Sequence, residues 1–257
     1  MRGDLMFIDT HCHLYDEYYS DMDRVIQNAV KNNVKRVIVN GCDMKSNKEV
    51  LKLIKKYDIV YGALGFHPSE LDGISDEELK WLDDNLDNSK IVAVGEIGLD
   101  YHYDETDREK QQYFFRKQLE IAKKHNLSVI VHSRDSIQDT YNILKDSSVK
   151  GVLHCYSGSL EMARKFIKIG YFLGVGGIIT FKNAKNIINV INNIGLEYIL
   201  LETDSPYLAP EPYRGRTNEP AYIPIIASKI AALKGVSISE VERITTGTAR
   251  GIFDFLK

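Results

Sequence analysis

The chain is poor in several residue types that would have announced a specialised class. Cysteine occurs three times in 257 residues, and Cys12, Cys42 and Cys155 form an odd set at irregular spacing. That argues against a disulfide framework or a paired C-x-x-C zinc site, and predicts buried, reduced thiols. Long apolar runs are missing too. Stretches such as Ile59 to Phe66 and Ile91 to Val94 stop far short of the roughly 20 residues a membrane helix requires, so no membrane contact is predicted. Surplus positive charge is absent: 33 Lys and Arg stand against 36 Asp and Glu, a formal net charge of −3. A general polyanion binder relies on many Lys and Arg contacts to phosphate, so any phosphate ligand must be held locally. The opening Met1-Arg2-Gly3-Asp4 leads into a strand-like segment without the apolar core of a secretory signal, which predicts a cytoplasmic protein. No low-complexity tract or Ser/Gly-rich linker divides the sequence, so residues 1–257 are expected to form one domain.

What is present is alternation. Short β-like runs recur at Leu5 to Thr10, Arg36 to Asn40, Val60 to Gly65, Ile91 to Gly95, Val129 to His132, Val152 to His154, Tyr171 to Val175 and Tyr198 to Leu201. Amphipathic stretches lie between them near 21–33, 46–57, 75–86, 107–125, 135–146, 159–169, 184–193 and 219–234, several opened by a Ser, Asp or Asn able to cap a helix. Eight strands each followed by a helix predict an α/β fold, a (β/α)8 TIM-type barrel of typically ~250 residues. An open doubly wound sheet would usually place a Gly-rich phosphate turn after its first strand, where this chain has Asp9-Thr10-His11-Cys12-His13. Residues 237–255 read as one extra C-terminal helix covering the barrel.

His11 and His13 stand two apart at the end of the first strand, and such a spacing puts both imidazoles on one face. An isolated H-x-H pair is a weak signal. Glu96 follows the fourth strand, His132 and His154 close the fifth and sixth, and Asp204 follows the eighth. Each alone has an ordinary reading: a loop acid, a hydrogen-bonded histidine, a helix cap. Together they are six metal-competent side chains at the carboxyl ends of predicted strands, the rim where barrel enzymes place their chemistry. Four imidazoles and two carboxylates suit zinc, manganese or similar divalent ions better than calcium, and a bridging Glu96 would let two ions share the set.

These segments resemble the TatD-type metal-dependent deoxyribonucleases of the amidohydrolase superfamily. The matching stretches are F-I-D-T-H-C-H-L at 7–14, G-F-H-P at 65–68, V-G-E-I-G-L-D-Y at 94–101, V-H-S-R at 131–134, L-H-C-Y-S-G at 153–158 and L-E-T-D-S-P at 201–206. The resemblance implies a barrel with His11, His13 and Asp204 at one metal, His132 and His154 at a second, and Glu96 between them. It also implies hydrolysis of DNA phosphodiester bonds, commonly as an exonuclease, with DNA ends or single strands as substrate and two divalent ions (zinc, manganese or magnesium) as cofactors. Other amidohydrolases bridge their metals with a carboxylated lysine at the end of the fourth strand, where this chain has Glu96. The stretch Thr245-Thr246-Gly247-Thr248-Ala249 departs from the related T-T-x-N-A pattern by carrying Thr at the Asn position. That change is expected to affect barrel packing more than chemistry.

Two ions about 3.5–4 Å apart can lower the pKa of a shared water and neutralise charge developing on phosphoryl oxygens. Asp204 is the expected general base, with Glu96 the other residue assigned to catalysis. His67 and His102 fall on the same predicted rim, able to donate to phosphate or the leaving oxygen, or to serve structure alone. Arg134 is a candidate for bidentate phosphate contact. Lys182, Arg214 and Arg216 supply cations on later loops, while Tyr101, Tyr156, Phe181 and Tyr207 offer rings for base stacking or for packing. His125, at the end of a helix, carries no catalytic expectation. The alternative activity is hydrolysis of an ester or amide, such as deacylation of a misacylated tRNA. No obligate protein partner is evident from the sequence.

Overall fold

The computed structural model describes residues 6–103 and 105–255, so Leu5 of the first expected strand and the Met1–Asp4 opening lie outside the described residues. Eight strands follow in chain order: β1 Phe7–Cys12, β2 Val34–Asn40, β3 Val60–Leu64, β4 Ile91–Asp100, β5 Ser128–Arg134, β6 Gly151–Leu153, β7 Tyr171–Val175 and β8 Ile199–Leu201. Neighbours pair in parallel in the order β1 to β8. Helices α1 Met22–Lys31, α2 Met44–Lys56, α3 Asp76–Asn85, α4 Arg108–Lys124, α5 Ile137–Ser147, α6 Leu160–Lys168, α7 Lys185–Asn193 and α8 Ile223–Lys234 alternate with them. This is the (β/α)8 barrel expected from the sequence. Local chemistry sets the boundaries. Ser75 and Glu78 form a reciprocal capping box at the start of α3, and Gly235 ends α8 with φ of 67°, a conformation that favours glycine.

The interior is layered by the two-residue period of the strands. Ile8, Ile38, Ala63, Val92, Ile130, Val152 and Leu200 form an apolar layer with Met6. The extra helix, α9 Ile238–Ile252, and the residues after it close this layer from below with Ala249, Phe253 and Phe255. Two residues further along the strands stand Asn40, His132, His154 and Glu202, so a polar layer sits directly on an apolar floor. Thr248, the residue that departs from the related pattern, bonds the Glu197 and Ile244 carbonyls at 3.2 and 3.1 Å beside the floor, away from the polar layer. Among the described residues no single helix is long and apolar enough to cross a membrane.

Barrel closure is the weakest part of the ladder. Between β1 and the segment that follows β8 there is an isolated parallel bridge, Cys12 to Ser205. Side chains reinforce it. The buried Asp9 carboxyl group accepts from the Thr203 amide at 2.9 Å, the Thr203 hydroxyl at 2.5 Å and the His11 amide at 3.3 Å. Thr10 Oγ1 donates to the Leu201 carbonyl at 3.0 Å, and the Asp204 amide to the His11 carbonyl at 2.9 Å. Burial pushes the Asp9 carboxyl up to about 8, against the hydrogen bonds that lower it.

Replacing Asp9 with Ala leaves the Thr203 and His11 amides buried without an acceptor, while the Thr203 hydroxyl keeps Ser205 Oγ at 3.0 Å, an expected loss of about 2–5 kcal/mol in urea unfolding. Asn retains a carbonyl oxygen and should cost less. Because the folded-state value lies above the ordinary 3.8, the Asp9 contribution is full below pH 3.8 and is lost as pH rises towards 8. Asp9→Asn should therefore flatten the decline in stability over that window. An equal decline in both proteins would assign it to other groups.

Candidate metal centre

The carboxyl ends of the strands open on a cavity of about 770 Å³, lined at its base by His13, Glu96, His132, His154 and Asp204. His11 lies just beneath, fully buried. How these side chains converge follows from two irregularities. On β4, pairing advances from Val94↔Val129 to Ile97↔Val131, three residues against two, so β4 carries an extra residue at Gly95–Glu96. Such bulges re-aim a side chain. The strand then continues to Asp100, so Glu96 stands within β4 rather than after it as the sequence suggested. The same offset occurs on β1 between Asp9↔Val37 and Cys12↔Val39, beside His11.

Glu96 is the centre of the arrangement. Its Oε2 lies 3.4 Å from His11 Nε2 and 3.5 Å from His13 Nε2. Its Oε1 lies 3.0 Å from His132 Nδ1, 3.1 Å from His154 Nε2 and 3.6 Å from His67 Nε2. Asp204 Oδ1 completes the first group, 3.5 and 3.6 Å from His11 Nε2 and His13 Nε2. The carboxylate thus divides the site into two lobes, one oxygen to each. Donor atoms 3.0–3.6 Å apart are spaced like neighbouring ligands on an ion with bonds of ~2.0–2.2 Å, and the nitrogen and oxygen set fits zinc-like divalent ions. The residues therefore fit the metal that the sequence pattern implies.

Charge in the cluster is strongly coupled. Burial alone would raise Glu96, yet His154, His67 and His11 together with the His132 hydrogen bond hold it well below the usual carboxylate range. Asp204 is likewise pulled below its ordinary value against burial, by hydrogen bonds from His11 and His13. Burial would lower His132 and His154, but Asp100 and Glu96 raise the first, and Glu96 and Glu202 raise the second well above 6.5. His67 goes the other way, lowered by burial to about 3. Its Nδ1 accepts the Ser69 amide at 3.1 Å, which leaves the proton on Nε2, facing the cavity.

Behind the cluster stand residues that sequence reasoning did not single out. Asp100 Oδ2 meets His132 Nε2 at 3.0 Å, and the Asn40 carbonyl meets His13 Nδ1 at 3.2 Å. Glu202 lies under His154, its Oε1 3.6 Å from Nδ1 and accepting the Cys155 amide at 2.5 Å. A Cβ at position 174 would come within 2.2 Å of Glu202 Oε2, so Gly174 on β7 makes room for this fully buried acid. Its signal was the strand period: Glu202 follows Leu200 by two, as His132 follows Ile130. Cys42 Sγ stands 3.8 Å from His13 Nδ1.

The remaining candidates separate. Arg134 is exposed and lines the cavity, as does His67. His102 does not line it; its Nδ1 pairs with Asp135 at 3.0 Å. Lys182, Arg214 and Arg216 also stay outside the lining, with Arg214 stacked on Phe181. Tyr101 and Tyr156 are buried, whereas Tyr207 lines the cavity with 49% of its surface exposed. His125 bonds Asp83 and Asp87, binding α3 and the segment after it to the end of α4.

Comparison with known proteins agrees with this geometry. The profile of the TatD related DNases matches residues 8–254. A metal-dependent hydrolase of Bacillus subtilis, YabD, is 40% identical, covering 96% of this chain and 99% of its own. The Escherichia coli metal-dependent hydrolase YcfH is 35% identical over 97% of this chain and 96% of its own. The crystal structure of YjjV, a TatD homolog from Escherichia coli, superposes with a TM-score of 0.92 at 34% identity, covering 96% of this chain and 98% of that one.

Protons and metal compete for the same nitrogens, so raised His132 and His154 values mean that apparent metal affinity should increase with pH above 6.5. Isothermal titration with zinc or manganese at several pH values checks this. Glu202→Gln keeps an acceptor for the Cys155 amide but removes the carboxylate beneath His154, and should weaken metal binding about 10–100-fold. Unchanged affinity would reduce Glu202 to a support for the turn.

Proposed function

The chain belongs to the TatD related DNase family of metal-dependent hydrolases, and from that premise we propose that it cleaves DNA phosphodiester bonds at ends or in single strands, using a two-metal site. The observation that carries the reading is the division of the site by Glu96, one oxygen towards His11, His13 and Asp204 and the other towards His132 and His154. Two divalent ions bound there would supply Lewis acidity to the phosphoryl group and lower the pKa of the attacking water.

The side chains divide the remaining work. Asp204, open to the cavity beside the His11 and His13 nitrogens, takes the proton of the attacking water. Its backbone holds φ at 56°, a left-handed conformation uncommon outside glycine, with its N–H donating a hydrogen bond to the His11 carbonyl. Glu96 keeps the two lobes in register. His67 presents its Nε2 proton to a phosphoryl or leaving oxygen, and Arg134 meets a non-bridging oxygen from the rim. His102, turned towards Asp135, has no part in this scheme.

A second reading draws on the cavity wall. Glu17, Asp43, Glu49 and Glu70 line it against the cations Lys45 and Arg134. An acidic wall suits the ammonium group at the ester end of an aminoacyl-tRNA better than a phosphate backbone lying along the cavity.

Incubation of the zinc- or manganese-loaded protein with end-labelled single- and double-stranded DNA, RNA and aminoacyl-tRNA separates the two. DNA cleavage that a chelator abolishes is expected. Asp204→Asn should lower kcat about 10²–10⁴-fold. His132→Ala serves as a metal-site control. Metal-dependent cleavage of the tRNA ester alone would replace the nuclease reading with the second one.

A further inference from the structure

Large apolar side chains on the surface are few among the described residues, and they are not scattered. Of the six that are exposed, Tyr18, Val30, Tyr103, Tyr113, Tyr207 and Ile238, three line the cavity that holds the candidate metal ligands: Tyr18, Tyr103 and Tyr207. Two of them form a continuous wall. Tyr18 lies on the loop after β1 and Tyr207 on the loop after β8, with hydroxyl oxygens 2.8 Å apart and ring centroids 5.8 Å apart at 68°. Tyr207 in turn lies 6.2 Å from the His13 ring, and Tyr15, packed 5.7 Å from His13 and 5.8 Å from Tyr18, closes the circuit. One end of this wall is therefore at the candidate ligand His13 and the other is at the solvent.

The wall is fixed before anything binds. The Tyr207 amide donates to the Asp204 carbonyl at 2.9 Å, and its carbonyl accepts from Asn218 Nδ2 at 2.6 Å. Tyr19 Oη donates to the Asn218 carbonyl at 2.7 Å, tying the β1 loop to the β8 loop. The Tyr18 amide donates to the Tyr15 carbonyl at 3.0 Å. Rings held in this way lose little freedom on contact, which is how aromatic platforms gain affinity.

The electrostatics narrow the ligand. Apart from the histidines of the central cluster, only Lys45 and Arg134 among the cavity-lining residues are cationic, and Lys45 is already paired with Glu17 at 2.6 Å. A phosphate backbone lying along this cavity would meet mostly carboxylates, so attachment cannot come from a basic track. It must come from the cluster itself and from a flat, uncharged group.

We infer that Tyr18 and Tyr207 form a stacking subsite for one unpaired nucleobase next to the phosphodiester held at the metal cluster. This rests on the nuclease reading and adds to it the means of holding the substrate. A base inside a duplex keeps both faces covered by its neighbours, so the subsite admits frayed or single-stranded ends. Because few phosphates are neutralised, binding should depend only shallowly on salt, with a slope of log KM against log salt of about 1 or less.

The test is a kinetic cycle on an end-labelled single-stranded oligonucleotide, in which the bases at the last two positions of either end are thymine or its saturated, non-planar 5,6-dihydro form. Tyr207→Ala and Tyr18→Ala should each raise KM about 10–100-fold, with the effect falling on KM more than kcat, and Tyr→Phe at either position should recover most of it. For the wild type, dihydrothymine at one end should raise KM similarly; for the Ala variants it should add little, because the same contact is already gone. Additive losses, or Ala variants with wild-type KM, would overturn the subsite while leaving the nuclease reading standing. A wild-type protein inert on every DNA would remove the nuclease reading, and the subsite with it.

Discussion

One carboxylate set among five imidazoles governs this structure. Glu96 is buried where an isolated charge would be untenable, and it is held there because each oxygen faces histidine nitrogens from a different part of the chain. Everything around it serves that placement. The bulge on β4 turns it inward, the turn after β6 brings His154, and the bond between the Asp204 amide and the His11 carbonyl brings the first and last strands to the same point. The polar layer needs the apolar one below it, since Ile130, Val152 and Leu200 set the phase in which His132, His154 and Glu202 point inward.

The barrel was legible in the sequence because its signal is periodic. Eight apolar runs separated by capped amphipathic stretches leave few other arrangements, and the six proposed ligands were found by asking what stands at strand ends. Bulges were not legible. The run Val94-Gly95-Glu96-Ile97 reads as the close of a strand, since the apolar pattern breaks at Gly95, yet the ladder resumes at Ile97 with a one-residue offset. Glu202 was overlooked for a related reason. It is adjacent to Thr203 and Asp204 in a polar cluster, and only the strand period, counted from Leu200, distinguishes an inward acid from a loop acid.

Loop residues were the hardest to place. Tyr101, Tyr156 and Tyr207 look alike in sequence, all aromatic and all just past a strand, but the first two are buried, with hydroxyls near Asp139 and on the Ser159 carbonyl, and the third faces the cavity. Tyr18 gave no sign at all, because its role depends on meeting Tyr207, 189 residues away. His102 stood two residues from Asp100 on the expected rim, and Asp135 draws it aside. Side-chain direction on a loop is decided by such distant partners, which a local pattern does not contain.

The Asp9–Thr203 clasp carries a consequence for how the molecule is made. It spans 194 residues, so β1 emerges from the ribosome long before the segment that completes its outer side. During that interval β1 can pair with β2 on one side, while the other side remains an open edge bearing His11 and the Asp9 carboxylate. Long-range closure of this kind slows folding, and an unpaired edge invites association with other chains. A polar aspartate at the centre of that edge makes it a poor template for a stranger's strand until Thr203 arrives.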